Sequence, residues 1–208
     1  IDLDVRGASP MYGGMPQYDD GSPIETDASK SFAKAHYEQH TAVTGTIEVG
    51  DEAIDMHGFG LRDKSWGPRY WQAIDWYRWL PMSFGDDFAM MLSIVTVDGT
   101  SRTGGMVLDG GEYHQIRDCR IESDWDDRKY QTGMRCWVAT DDREYEVTGE
   151  VLSLIPLRNR RTTPDGEQLQ TRITEAMTRY ECDGRVGIGM SEYLDQIVDG
   201  APIGTDVS

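Results

Sequence analysis

Hydrophobic and polar positions alternate along most of the chain. The stretch TAVTGTIEVGDEAIDMHGFG sets small or apolar residues against polar ones about a VGDE turn. A period of two places successive side chains on opposite faces, so this pattern predicts a pair of strands. FAMMLSIVTVDGT is an apolar run closed by Asp98-Gly99, a hairpin signal. Further pairs follow about Asp109-Gly110-Gly111, about Asp141-Asp142 and, in ITEAMTRYECDGRVGIGMSEYL, about Asp183-Gly184. The opening IDLDVRG alternates as well. Strands of this length, with Asp and Gly turns at short regular spacing, predict an all-β antiparallel sandwich or barrel. Two segments break the pattern. GASPMYGGMPQYDDGSPIETD is rich in Gly and Pro and predicts a long loop or linker. PRYWQAIDWYRWL has the one pattern that suits a helix, and suits equally a loop laid across a barrel mouth. There is no internal repeat and no composition shift. The organisation expected is a strand and Gly/Pro-rich loop over 1–35, then one β domain over 36–208.

Composition narrows the function classes. The 208 residues are 38% hydrophobic and 10% aromatic, enough for a packed core. The formal net charge of −17 repels phosphate backbones and anionic lipid surfaces, which argues against nucleic-acid and membrane partners. No apolar run is long enough to span a bilayer. Cys119, Cys136 and Cys182 are odd in number and lack CxxC spacing, so they predict neither a disulfide framework nor a zinc site. A reducing, cytoplasmic setting is the expectation. The chain opens on Ile1, which suggests a piece of a longer gene product.

The candidate chemistry centres on HGFGLRDKSWGPRYW, His57 to Trp71. In a strand Arg62, Lys64 and Trp66 share one face, and Leu61, Asp63 and Ser65 the other. Gly58 and Gly60 clear the first face, as where something must approach closely. Gly67-Pro68 ends the strand, and Trp71, Trp76, Tyr77 and Trp79 crowd the residues after it. Charge beside tryptophan, at a strand end next to an aromatic belt, describes an apolar pocket with a few convergent polar groups. Asp63, facing away, would steady the strand through Arg62 or Arg69.

That stretch, read as GFGLRDKSWGPRYW, resembles the G-x-G-x-R-D-H-S-W-G-x-R signature of the lipocalin-like family that includes carotenoid 1,2-hydratase (hydroxyneurosporene synthase). FGDDFAMML, GGMVLDGGEY and YECDGRVGIGMSEYL fit the strands that follow, and the similarity runs from about His36 to Leu194. The resemblance implies a lipocalin-like barrel or strongly curved sheet, as the second half of a two-barrel protein, beside its upstream half or a copy of itself. It also implies a lyase or isomerase that needs no metal or redox cofactor. Carried over by position, catalysis would fall to Trp66, to Asp87 or Asp86, and to Lys64, which stands where the signature has His. A lysine in an apolar pocket can shed its charge and act as acid or base. It can equally pair with Asp63 or Asp87. Phe84 and the belt of Trp71, Trp76, Tyr77 and Trp79, with Arg62, would hold the substrate, and Arg69 and Glu192 would support the site.

Other positions invite weaker readings. His36, Glu38 and His40 fall at i, i+2 and i+4 on one strand face, a spacing that suits a metal triad or a polar outer face. Arg158 to Arg161 include the one basic cluster. GRVGIG lacks the helix that a phosphate loop needs. Two function classes remain. One is a cofactor-independent hydratase, isomerase or cyclase acting on a hydrophobic terpenoid, prenylated or polyketide-like substrate. The other is a non-catalytic lipocalin-like binder of such a molecule.

Overall fold

The computed structural model describes every residue except 16, 18, 19, 26, 28–30 and 206–208. The first four strands, β1 (Asp2–Gly7), β2 (Tyr12–Gly14), β3 (Ala35–Val49) and β4 (Glu52–Trp66), form a small antiparallel sheet. β3 and β4 pair along their whole length about a turn at Gly50, whose φ of 63° suits glycine. β1 and β2 lie end to end on the other side of β3. Tyr12–Gly14 is therefore strand where a loop is expected, and parts of that Gly/Pro-rich segment lie outside the described residues.

A single 3₁₀ turn, Trp71–Ala73, leads into the large sheet. Its strands are β5 (Trp76–Ser83), β6 (Phe88–Val97), β7 (Thr100–Asp109), β8 (Glu112–Gln115), β9 (Asp118–Trp125), β10 (Gln131–Ala139), β11 (Glu144–Thr162), β12 (Gln168–Cys182), β13 (Arg185–Val198) and β14 (Ala201–Pro202). The PRYWQAIDWYRWL segment is thus neither helix nor mouth-crossing loop. Its second half is β5, in which alternation sends Trp76 to Met82 to two faces that are both packed. The order is β8-β7-β6-β5-β13-β12-β11-β10-β9, with β14 added to β13. Asp98-Gly99 and Asp183-Gly184 turn with both residues at positive φ, the geometry that matches the twist of the flanking strands.

The sheet curls until β9 packs against β6 and β7 at its other end. The inward side chains then meet as one core: Leu80 and Met82 of β5, Met90 and Leu92 of β6, Val107 of β7, Cys136 of β10, Val147 of β11, Tyr180 of β12 and Tyr193 of β13 are all buried within it. The hollow that a lipocalin-like fold would offer a ligand is filled with side chains. Close strand approach makes this possible. A Cβ on Gly189 would stand 2.0 Å from the Pro81 carbonyl oxygen, so glycine alone lets β13 press on β5. Gly187, whose Cβ would meet the Ser83 carbonyl oxygen, plays the same part, whereas Gly184 at the start of GRVGIG serves the turn. The β5–β13 ladder skips Met190 and Ser191, opposite Pro81 and Leu80, where Pro81 has no N–H to give. Interior side chains meet the carbonyls there: Tyr180 donates to Met190 at 2.7 Å and Gln131 to Ser191 at 3.1 Å.

One end of the curl is closed by buried charge. Asp195 accepts from Arg78 at 2.9 Å and from Arg172 at 3.4 Å, and the amide of Gly204 donates to it at 3.0 Å. The three charged side chains are almost wholly buried, and the guanidinium of Arg78 lies 4.4 Å from the Tyr193 ring. Removing one partner of such a set leaves a buried charge uncompensated.

Truncating the filled core should register directly. Leu92→Ala is expected to lower unfolding free energy by about 2–5 kcal/mol. Leu157→Ala, on an exposed stretch of β11, should stay within about 0.5 kcal/mol. Urea denaturation followed by tryptophan fluorescence measures both.

Candidate functional site between the two sheets

The small sheet lies against the outer face of the large one, and a cavity of about 500 Å³ opens between them. One wall is built by register. In the β3–β4 ladder His36 faces Ser65 and Glu38 faces Asp63, so alternation sends all four side chains to the same side. The other wall uses the outward residues of the curl: Tyr77 and Trp79 of β5, Met91, Ser93 and Val95 of β6, Gly104 and Gly105 of β7, and Glu192 of β13. Phe32, Arg69, Trp71 and Ile74 close one end and Tyr12 another. Phe32 meets Trp71 edge-on, with ring centroids 5.2 Å apart.

The indole N–H of Trp79 donates to Glu38 Oε1 at 2.7 Å and so ties the two walls together. Glu38 is only 2% exposed. Burial drives its carboxyl up to about 7, against the pull of the nearby His36 and the Trp79 hydrogen bond. Glu192, across the cavity, accepts a hydrogen bond from the Tyr77 hydroxyl. Burial likewise carries it to about 7, with Glu175 and Asp63 adding to the rise and Tyr77 and Arg69 opposing it. Tyr77 is held protonated, first by burial and then by Glu192. Glu175 pairs with Glu192 across β12 and β13. Its carboxyl is raised by burial, and its Oε2 is buried without a hydrogen-bond partner. His36 bonds Asp63 at 2.7 Å, and this bond is the main reason its pKa is raised. Arg69 lies 4.4 Å over the Phe32 ring and donates to the Phe32 carbonyl at 2.9 Å and to Ser65 Oγ.

The structure divides the predicted site residues. Trp71, Tyr77 and Trp79 line the cavity, and so do Arg69 and Glu192. Asp63, expected to face away, looks into the cavity and bonds His36 rather than Arg62 or Arg69. Arg62, Lys64 and Trp66 occupy the opposite face of β4. Arg62 sits 5.3 Å from the Tyr37 ring, Trp66 meets that ring edge-on and is 43% exposed, and Lys64 is exposed. The parity read from the sequence is correct, but the small sheet packs by its other face. Trp76 turns toward Arg78, and Phe84 packs on Phe88 at the filled core. Asp87 stands on the β5–β6 turn, 2.9 Å from Arg185, whose hydrogen bond holds its carboxyl below the usual range. Asp86 is exposed beside it.

His36 and Glu38 both line the cavity, Glu38 buried and His36 at its exposed margin. His40, on the same side of β3, is 2% exposed, has no partner for either ring nitrogen, and burial holds it neutral down to about 4. Among the described residues no three His, Cys, Asp or Glu side chains are grouped to hold a metal ion. The three thiols are unpaired and buried. Burial raises each of them, Cys119 to about 12 and Cys182 to about 11, which leaves little thiolate to react. No helix among the described residues is long and apolar enough to cross a membrane. The sequence reading missed Ser65, Phe32 and Glu175 as members or neighbours of the site. Glu175 carried a usable signal, since it shares the parity of the buried Ile173 in an otherwise alternating strand.

Residues 1–197 match the model of a family described as a domain of unknown function (DUF7064). The fold is similar to that of a crystal structure from Nitrosomonas europaea, a protein provisionally identified as AttH, with a TM-score of 0.55 and 16% sequence identity. The similarity covers 92% of this chain and 59% of that one, so the chain spans less than two thirds of its neighbour's length. At that identity the likeness is one of fold, and neither comparison singles out a carotenoid hydratase. Comparison with curated proteins yields no significant match.

The raised carboxyls have a measurable consequence. Glu38 and Glu192 move from 4.5 to about 7 on folding, so between those values the folded chain binds more protons than the unfolded one. Their contribution to stability is present in full below about 4.5 and is lost as pH rises through about 7. His40, moved from 6.5 to about 4, acts in the opposite sense over its own window. The check is therefore a difference: the Glu38→Gln/Glu192→Gln variant should gain on the wild type in Tm as pH rises from about 5 to about 8.

Proposed function

The chain belongs to the DUF7064 family, a domain of unknown function, and from its cavity we propose that it is a cofactor-independent acid–base enzyme acting on a hydrophobic, alkene-bearing molecule of terpenoid, prenylated or polyketide-like type. The observation that carries this reading is the pair Glu38 and Glu192. Two carboxyls from different sheets face one largely apolar cavity, and both titrate at about 7. A carboxyl poised near the working pH is matched to proton transfer in either direction.

The environments divide the labour. Glu192 has acidic neighbours in Glu175 and Asp63, which favour its protonated form. The Tyr77 hydroxyl occupies its Oε1 and leaves Oε2 to carry the proton. Glu38 has His36 beside it, which favours the anion. In the proposed step Glu192 gives its proton to one alkene carbon, a C–H bond forms from the π pair, and positive charge develops on the other carbon. The faces of Trp71 and Trp79 attract that charge, each good contact contributing about 0.5–2 kcal/mol. The step ends in one of two ways. Water adds to the cation and passes a proton to Glu38, which is hydration. Otherwise a neighbouring C–H gives its proton to Glu38 and a new double bond forms, which is isomerisation. If an intramolecular alkene attacks instead, its π pair forms the ring C–C bond, the positive charge moves to the far carbon of that alkene, and loss of an adjacent C–H proton to Glu38 completes a cyclisation.

A second reading, a ligand-binding protein, is favoured by the hydrogen bonds from Trp79 and Tyr77, which anchor both carboxyls to the walls. One experiment separates the two. Apolar molecules extracted from the source are incubated with the protein in D2O, and bound and free fractions are analysed by mass spectrometry. An enzyme yields a component that gains deuterium, and Glu192→Gln lowers that rate by about 10²–10⁴. A component held at one per chain with no deuterium gain leaves the binding protein.

A further inference from the structure

We propose that the cavity selects ligands carrying positive charge on an apolar frame, such as alkyl amines and quaternary ammonium compounds, through its combination of aromatic rings and carboxyl groups. The inference rests on the cavity used above, but not on any proton transfer within it.

The geometry argues from both walls. Glu38 and Asp63 come from the small sheet, and Glu192 from the large one. The rings of Phe32, Trp71, Tyr77 and Trp79 line the same cavity. Phe32 lies near both Trp71, at 5.2 Å, and Tyr77, at 6.4 Å, so the rings form a connected belt rather than separate contacts. Aromatic faces beside carboxylates are the surroundings that attract a weakly hydrated cation. An apolar anion would meet the same groups as repulsion, and a neutral chain would gain from the rings alone.

The cations already at the site are engaged. His36 is bonded to Asp63 at 2.7 Å. Arg69 is turned to Phe32 and Ser65, stacked on the ring and bonded to the carbonyl and the hydroxyl. Glu175, the cross-strand partner of Glu192 on the same face, is not among the residues lining the cavity, but its charge acts on Glu192 and adds to the negative character of that wall. With Glu38, Asp63 and Glu192 ionised, three negative charges face Arg69 and a protonated His36, so one further cation balances the lining.

The preference must then depend on pH. Glu38 and Glu192 lose their protons as pH rises through about 7. The other charged groups facing them are His36, Asp63, Arg69 and Glu175, and loss of the His36 proton acts in the same direction. A cation should bind more tightly at pH 8 than at pH 6, and should release protons from the site as it enters.

The test uses three probes of equal chain length below their micellar range: octyltrimethylammonium, octanol and octanoate. Titration calorimetry and quenching of tryptophan fluorescence report binding. At pH 8 octyltrimethylammonium should bind at least about tenfold more tightly than octanol, and octanoate most weakly. The preference should shrink at pH 6. Glu192→Gln and Glu38→Gln, each checked for folding by circular dichroism, should weaken the ammonium by a larger factor than octanol and so narrow the preference. Equal binding of ammonium and octanol, stronger binding of octanoate, or no binding of any probe overturns the proposal. Tight ammonium binding without deuterium transfer in the preceding experiment upholds this inference and removes the enzymatic one. Deuterium transfer without ammonium preference does the reverse.

Discussion

Strand β5 has no side free for water, and both halves of the molecule depend on that. Arg78, Leu80 and Met82 point into the curled sheet, while Tyr77, Trp79 and Pro81 point out of it. A slip of one residue would exchange the two sets. It would drive Tyr77 and Trp79 into a core already packed with Tyr180 and Tyr193, and would present Arg78 without Asp195 to an apolar cavity. The register is held from both flanks. The full ladder with β6 holds one, and the close contact of Gly189 with Pro81 and Met82 holds the other. Once Trp79 is fixed outward, its indole N–H holds Glu38, and the small sheet has its place.

Competing effects set the character of the two carboxyls. Burying a carboxyl raises its pKa by up to about 3–5 units. A hydrogen bond donated to its anion returns about 1.5–3 kcal/mol, or roughly one to two units. Burial is the larger effect for both groups, and the opposing pull of His36 and Trp79 on Glu38, and of Tyr77 and Arg69 on Glu192, still leaves each carboxyl raised from 4.5 to about 7. The site therefore holds two carboxyls that gain and lose protons near neutrality, Glu38 beside His36 at 3.7 Å and Glu192 beside the Tyr77 hydroxyl.

Much of the fold was legible in the sequence, because period-two alternation and Asp-Gly turns are local signals. The strand pairs at Asp98-Gly99 and Asp183-Gly184 lie where those signals put them. The aromatic run before Leu80 read as helix or loop and not as the strand it enters, since Trp71 to Trp79 bury apolar surface on two sides and show no clean period. The site was half legible. Parity along Leu61 to Trp66 followed from the pattern, yet which face of β4 meets the large sheet is a fact of tertiary packing. The side richer in charge and indole, with Lys64 and Trp66, drew attention, whereas the side with Asp63 and Ser65 faces the cavity. Glu38 stood in a segment notable for its histidines, and its burial depends on Trp79, forty-one residues further along the chain.

The filled interior of the curl separates two burdens that a hollow barrel must combine. In a hollow barrel, every change that reshapes the ligand space also reshapes the scaffold. Here Leu92 and Val107 bear the load on one side of the large sheet, and Ser93, Val95 and Gly104 line the cavity on the other. Neighbouring positions of one strand therefore answer to different demands. Substitutions at alternate residues can reshape the cavity while the scaffold behind them stays intact.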